Sequence, residues 1–329
     1  MISFILIGRN EGWKLDRALS AVFSVINNDN ISDYEVIYVD SASCDDSVAR
    51  ALSYPGVSIF RITGHCNAAI GRNIGAREAR GDTFFFIDGD MELRRGFINL
   101  VHNNETGLTQ PFVTGTVADR YYEQGNENPA DMTLPGIAGK KPSPYKTGGL
   151  FMVQRDLWTK TGGMRNEFRV NEDIDFGLRL AGRGIRPVRR PELLAIHNTV
   201  PVSDGNRMWK NILSGAEGYR AVVLRKNILN TEAWRFFVRT NYSMPVLAAV
   251  VIAAALTANP WWLIPYPAVL AARTAARRDH NPLAFLLRMA YYMYYELAFP
   301  LFFLFFHPSR HREEYMAVRK SEPVKKSTE

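Results

Sequence analysis

Along the first hundred residues, short apolar runs alternate with stretches of helical period. Residues 2–7 are apolar apart from Ser3 and read as a strand. From 14 to 26, Leu15, Ala18, Leu19, Val22, Phe23 and Ile26 recur at i, i+3, i+4 and i+7, the spacing of one helix face. Further strands are expected at 35–39, 57–61 and 83–87. Helices are expected from Asp45-Asp46 to about Leu52 and at 68–79 between them. Repeated strand–helix–strand units predict an α/β fold with a parallel, doubly wound sheet. Order resumes over 148–200, with a strand at 150–154 and a helix at 156–161 ended by Gly162-Gly163. A second helix at 173–181 is closed by Gly182 and Gly184.

Two stretches break this rhythm. Residues 116–147 are rich in Gly, Pro, Asn and Lys and read as a long loop, either a mobile flap beside the site or a surface insertion. Residues 206–239 form an amphipathic pattern with Trp209, Tyr219, Trp234 and many arginines. That pattern suits a helix lying on a membrane or packing against the globular part.

The last third differs in kind. Residues 244–272 are almost uncharged and 283–306 are strongly apolar, each long enough to span a bilayer. The first is broken by Asn259-Pro260, Pro265 and Pro267, leaving halves that each rise only about 20 Å as helices. The second carries Arg288, Glu296 and Pro300. Arg235 and Arg239 precede the first segment, Arg273, Arg277 and Arg278 follow it, and Arg310 and Arg312 follow the second. Basic flanks favour the cytosolic side, which a re-entrant hairpin with an in-plane helix satisfies. Two full spans, or a buried helix pair of a soluble protein, are the alternatives. The chain thus divides into a domain at 1–204, a helical connector at 205–242, membrane-associated helices at 243–308 and a charged tail at 309–329, expected to be disordered.

The 329 residues suffice for one large domain with an appendage, and 47% apolar content provides for a core. Two cysteines exclude a disulfide framework or zinc cluster and suit a reducing compartment. A formal charge of +7 admits nucleic acid, an anionic membrane surface or a phosphorylated substrate. With no nucleic-acid motif and no long basic run, membrane and nucleotide phosphates are expected, and nucleic acid is not. Met1-Ile2-Ser3-Phe4 lacks a basic leader and reads as the first strand rather than a signal peptide, so the catalytic part is expected in the cytosol.

Candidate chemistry gathers where strands end. Asp88-Gly89-Asp90 follows the run 83–87, and unpaired carboxylates are poor core residues. At the carboxyl end of a central strand they lie where open α/β sheets bind ligands, and two hard oxygen donors suit a divalent cation with a diphosphate. Taken alone the tripeptide is equally a turn. Asp40 follows the second strand and Gly8-Arg9-Asn10-Glu11 the first. Asp40, Gly8 and Arg72 could supply a base acceptor, a backbone contact and a cation to a nucleotide.

In combination, Gly8-Arg9-Asn10-Glu11-Gly12, Val39-Asp40-Ser41-Ala42-Ser43-Cys44-Asp45, Gly71-Arg72-Asn73-Ile74-Gly75 and Asp88-Gly89-Asp90 resemble the family 2 glycosyltransferases of GT-A fold. Gly148-Gly149 and Glu172-Asp173 are similar to that family's acceptor-side segments, so the resemblance covers roughly 1–200. It implies a Rossmann-like mixed sheet and inverting transfer of a sugar from a nucleotide-diphosphate sugar, with UDP preferred. It further implies that Gly8, Arg9, Glu11, Asp40, Arg72 and Asp88 bind the nucleotide. Asp88, Asp90 and His197 would hold Mn2+ or Mg2+, and Asp173 would be the general base. A core histidine is the other reading of His197.

Two departures matter. Ser41 replaces a usual second carboxylate, which leaves the nucleobase open. After His197 only Arg207-Met208-Trp209-Lys210 is found, which does not fit the signature of processive synthases, so single-sugar transfer is expected. The apolar C-terminus favours a lipid-linked (polyprenyl) saccharide acceptor at the cytoplasmic face of the cell membrane, in surface polysaccharide or glycoconjugate assembly. The alternatives are a polyprenyl-phosphate acceptor, a non-catalytic sugar-nucleotide-binding membrane scaffold, and a nucleotidyltransferase, for which Gly8-Arg9-Asn10-Glu11 is a poor loop.

Overall fold

The computed structural model describes residues 1–103, 105–123, 129–133, 145–200, 204–276 and 281–325. It contains two compact units: 1–201 together with 309–329, and 202–308.

The first unit is built on one mixed sheet. Its first half comprises β1 (Ile2–Gly8), α1 (Trp13–Asn28), β2 (Tyr34–Asp40), α2 (Ser47–Leu52), β3 (Val57–Ile62), α3 (Ala68–Glu78) and β4 (Thr83–Asp88). Next come β5 (Met91–Leu93), α4 (Phe97–Val101), the short pair β6 (His102–Asn103) and β7 (Gly107–Leu108), β8 (Phe112–Tyr122) and β9 (Pro129–Thr133). β10 (Phe151–Gln154), α5 (Arg155–Thr161), α6 (Glu172–Ala181) and β11 (Val188–Thr199) complete the N-terminal part. The strand order is β12-β3-β2-β1-β4-β10-β8-β11-β5, with β12 at Tyr315–Arg319. β1 to β4 run parallel, as the alternating pattern predicts. β10 is antiparallel to both its neighbours, and β11 runs parallel to β8.

Helices cover both faces, which explains why β1 and β4 read as unbroken apolar runs. Phe4, Leu6, Phe85 and Ile87 pack under α1 with Leu15, Leu19 and Val22. Ile5, Ile7, Phe84 and Phe86 face the other way, with Ile70, Ile74, Trp158 and Phe176. Each such fully buried side chain contributes about 1.5–3 kcal/mol of hydrophobic stabilisation. Gly75 lets α3 lie directly on β1, since a Cβ there would sit 2.2 Å from Ile5 Cγ2.

Two expectations are corrected. The long loop expected at 116–147 contains the second half of β8 and all of β9, because Val117, Tyr121 and Tyr122 belong to a β-branched and aromatic run that pairs with β11. The flap reading otherwise falls on 124–128 and 134–144, outside the described residues. The tail is not disordered over 315–319: β12 pairs antiparallel with β3 and closes that sheet edge. Its charges had masked the strand pattern of Tyr315-Met316-Ala317-Val318-Arg319.

The second unit is helical: α7 (Asp204–Leu213), α8 (Gly218–Lys226), α9 (Thr231–Thr240), α10 (Ser243–Thr257), a 3-10 turn at Pro260–Leu263, α11 (Pro265–Ala275) and α12 (Pro282–Phe305). Val250, Tyr266, Leu270, Tyr291 and Tyr292 form its core. Beside them Glu296 pairs with Arg273, which also donates to Ser243 Oγ at 2.7 Å, while Tyr266 donates to Glu296 at 3.0 Å. The outer faces carry Leu256, Trp261, Ile264, Leu286, Leu301 and Phe305, all more than half exposed. Among the described residues no single helix is long and apolar enough to cross a membrane. One bent pair, Thr231–Thr240 with Ser243–Thr257 at 85°, has the length and composition.

Candidate active site

The parallel register brings three strand ends level: Gly8 lies opposite Asp40, and Ile7 opposite Asp88. Beyond them opens a cavity of about 650 Å³. Of the residues singled out from the sequence, Gly8, Arg9, Glu11, Arg72, Asp88, Asp90, Asp173 and His197 line it. Asp40 does not. Its side chain is wholly buried, accepting from the Tyr38 hydroxyl at 3.1 Å and the Ser43 amide at 3.0 Å, with Arg61 Nε at 3.5 Å. Asp40 therefore shapes the 41–43 turn, where Ala42 takes a left-handed φ of 56°, instead of facing the cavity.

The Asp88-Gly89-Asp90 corner is held from several sides. The Gly89 amide donates to Ile7 O at 2.7 Å. Arg72 is buried and donates from Nη2 to Asp88 Oδ1 at 2.7 Å and from Nη1 to Glu172 Oε1 at 3.3 Å, so one guanidinium ties β4 to the start of α6. Arg72 was expected to meet nucleotide; here it is mostly engaged by protein. Asp88 leans onto the Gly149 backbone, where a Cβ would come within 1.7 Å of Asp88 Oδ2, which accounts for the glycine. Asn198 is fully buried and donates its amide to Asp90 O at 2.9 Å and its Nδ2 to Glu92 Oε1 at 2.9 Å.

His197 lies between two carboxylates, Nε2 at 3.2 Å from Asp90 and Nδ1 at 2.9 Å from Asp119. Burial lowers its pKa, but the hydrogen bonds and charges of Asp90 and Asp119 outweigh that and push it up to about 9. Burial, reinforced by Asp90, raises Glu11 to about 7, with Lys14 at 3.7 Å opposing. Burial likewise raises Glu172 to about 7 against the pull of Arg72. Asp88 is shifted up by burial and by Asp90, and drawn back by Arg72.

Among the described residues no three His, Cys, Asp or Glu side chains form a ready-made metal-ligating group. Asp88 is turned to Arg72 and His197 to Asp90. The donor set nevertheless fits a hard divalent cation: carboxylates, one imidazole, and Asp90 Oδ1, which is buried without a hydrogen-bond partner.

The first turn of α6 also lines the cavity. Asn171 opens it at a left-handed φ of 66°, and Glu172, Asp173 and Asp175 crowd the positive end of the helix dipole. Gly177 allows α6 to sit on the Tyr145 carbonyl, which a Cβ would approach to 1.8 Å. Asp173 Oδ1 accepts only from the neighbouring Ile174 amide at 2.9 Å among the bonds seen here, and its side chain lines the cavity. Asp175 is wholly buried between Arg165 at 2.6 Å and Arg179 at 2.9 Å, a structural role.

Sequence reasoning missed Lys146 and Arg169, exposed cations on the cavity wall, and Asp119 behind His197. Asp119 lay inside the expected loop. Only the β8–β11 register, which pairs it with His197, brings it there.

The model of the family "Glycosyl transferase family 2" matches residues 3–169. An uncharacterized glycosyltransferase of Haemophilus influenzae is 28% identical over 173 residues, covering 49% of this chain and 56% of that protein. Polypeptide N-acetylgalactosaminyltransferase 3 of Drosophila melanogaster is 27% identical over 218 residues, covering 54% of this chain and 32% of that protein. The chain thus spans about half of one of these relatives and a third of the other. A crystal structure of GalNAc-T7 with UDP, GalNAc and Mn2+ superposes with a TM-score of 0.49 at 15% identity, over 61% of this chain and 43% of that one.

Proposed function

The chain belongs to glycosyl transferase family 2, and from that premise we propose that it moves one sugar, with inversion, from a UDP-sugar to a lipid-linked glycan acceptor at the cytoplasmic face of the cell membrane. The single observation that carries the chemistry is that Asp88, Asp90, His197 and Asp173 line one cavity.

Inversion at the anomeric carbon is a single in-line displacement. It needs a base on the acceptor side and positive charge behind the leaving diphosphate. Asp173 takes the proton from the acceptor hydroxyl; its carboxylate accepts from the neighbouring Ile174 amide and is paired with no cation among the ion pairs seen. Arg9, Lys146 and Arg169 line the cavity and attract the diphosphate. Asp88, Asp90 and His197 would hold Mn2+ or Mg2+, which when bound supplies charge to the departing phosphate oxygens. Arg72 keeps the donor corner and the base-bearing helix at a fixed separation, because it bonds to both.

The acceptor reading rests on the second unit. From 240 to 272 there is no charged residue until Arg273, yet Leu256 is 82% and Trp261 73% exposed. Such apolar surface suits a bilayer interface. α12 shows the same stripe through Leu283, Leu286, Leu297, Leu301 and Leu304, with Glu296 turned inward.

The test is direct. The full chain with Mn2+ is incubated with UDP-, GDP- and dTDP-sugars, and nucleotide release is measured with and without polyprenyl-diphosphate saccharides. Release from a UDP-sugar that depends on the acceptor is expected. Absence of release with every pair overturns the reading.

A further inference from the structure

The C-terminal segment touches two loops that contribute residues to the cavity lining. After the second unit the chain returns to the sheet, and residues 311–314 lie against two loops that line the cavity. His311 stacks on His65, ring centroids 3.6 Å apart and planes 12° from parallel. The Glu314 carbonyl accepts from the Thr63 amide at 2.9 Å. Gly64 is so close that a Cβ there would stand 3.0 Å from Glu314 Oε2. Cys66, Asn67 and Ala68, which follow directly, line the cavity.

The second loop is reached through Asn166. Its Nδ2 donates to Glu313 Oε1 at 2.9 Å and to His311 O at 3.3 Å. Its Oδ1 accepts from Asn73 at 2.6 Å, and its carbonyl accepts from Asn67 Nδ2 at 2.8 Å. Asn166 is buried, and Arg169 and Val170, a few residues on, line the cavity. Asn67 in turn caps α3, accepting from the Ile70 amide at 2.8 Å, and α3 carries Arg72. Farther along, β12 is pinned by Arg319, which donates to the carbonyls of Leu52 and Val57 at 2.8 and 2.9 Å, and by Tyr315, which donates to Glu78 at 2.6 Å.

We propose that residues 311–314 are positioning residues of the nucleotide-sugar site, holding the 63–68 and 164–170 loops in register through the His65–His311 stack and Asn166. The segment lies far beyond the family-matched stretch, so this support is a feature of this chain and not of the shared motif region. The site itself is the one proposed above, and the donor half of this inference rests on that reading.

Two measurements on the full chain separate the two claims. Amide hydrogen exchange of the ligand-free protein reads the loops alone. Titration calorimetry with UDP and Mn2+ reads the donor site. For the double variant His311→Ala/Glu313→Ala, exchange at 63–70 and 164–170 is expected to rise at least about fivefold while β1 and β4 stay protected. UDP affinity is expected to fall by about tenfold, with the melting temperature little changed. His311→Phe keeps a flat ring on His65 and is expected to restore exchange close to wild type. Unchanged exchange in both loops, or exchange rising equally across the whole sheet, overturns the proposal. Wild-type protein that binds no UDP overturns the donor reading, while the exchange result still decides whether the segment holds the loops.

Discussion

The two units expose different things. The sheet unit hides its phenylalanines and isoleucines and turns Glu11, Asp88, Asp90 and Asp173 toward a cavity. The helical unit hides Glu296, Arg273 and Glu217 and exposes leucines and tryptophans. Water is a good solvent for the first arrangement and a poor one for the second. The contrast teaches that exposed apolar side chains gather on the helical unit, while the sheet unit gathers carboxylates around a cavity.

The sharpest test on the sheet side is Asp173→Asn. It should lower kcat by about 10²–10⁴-fold while UDP binding holds, because only the proton acceptor is removed. Turnover within a few-fold of wild type would reassign the base. Asp90→Ala should cost about 10²–10³-fold in turnover through the loss of charge stabilisation at the leaving group, with circular dichroism unchanged. Equal turnover with Mn2+ and with a chelator would break the metal half of the reading.

On the helical side, Glu296→Ala should destabilise the fold by about 3–5 kcal/mol, since it leaves the buried Arg273 without its carboxylate partner, and denaturant titration measures it. Trp261→Ser should leave that stability alone and instead reduce sedimentation with anionic vesicles by about tenfold. If both variants lose only stability, the helical unit is an ordinary core and the contrast between the units collapses.

Asp119→Ala should weaken Mn2+ binding by about 10- to 100-fold, read by electron paramagnetic resonance of free Mn2+. Asp119→Asn should recover part of it, because the acceptor for His197 Nδ1 is kept. The smallest effect concerns pH. Burial, with His311 and Arg169 adding, lowers the pKa of His65 from its ordinary 6.5. A histidine lowered in the folded state binds fewer protons there than when unfolded. Its stabilising share is therefore present above pH 6.5 and lost as pH falls below it. Exchange at 63–70, corrected for intrinsic rate, should be faster at pH 5.5 than at 7.5, and His65→Phe should abolish the difference.

Much of the sheet unit was legible because its signals are local. A run such as 83–87 declares a strand, and Leu15 to Ile26 declares a helix face. The β8 and β12 strands were missed for one reason: their apolar positions are diluted by charges and turn residues, and what fixes them is pairing with β11 and β3, distant in the sequence. Asp40 shows the converse. Its place at a strand end was right, but the direction of its carboxylate was set by Tyr38 and Ser43.

By itself the sequence determined the strand–helix order of residues 1–88, the acidic strand ends and the uncharged stretch near the C-terminus, because these are patterns of adjacent residues. The tertiary structure alone decided that Arg72 binds protein on both sides, that Asp119 backs His197, that Asn166 joins two loops to a returning tail, and that Glu296 turns inward. Each depends on side chains from elements 16 to 147 positions apart meeting in space, and no local pattern encodes such a meeting.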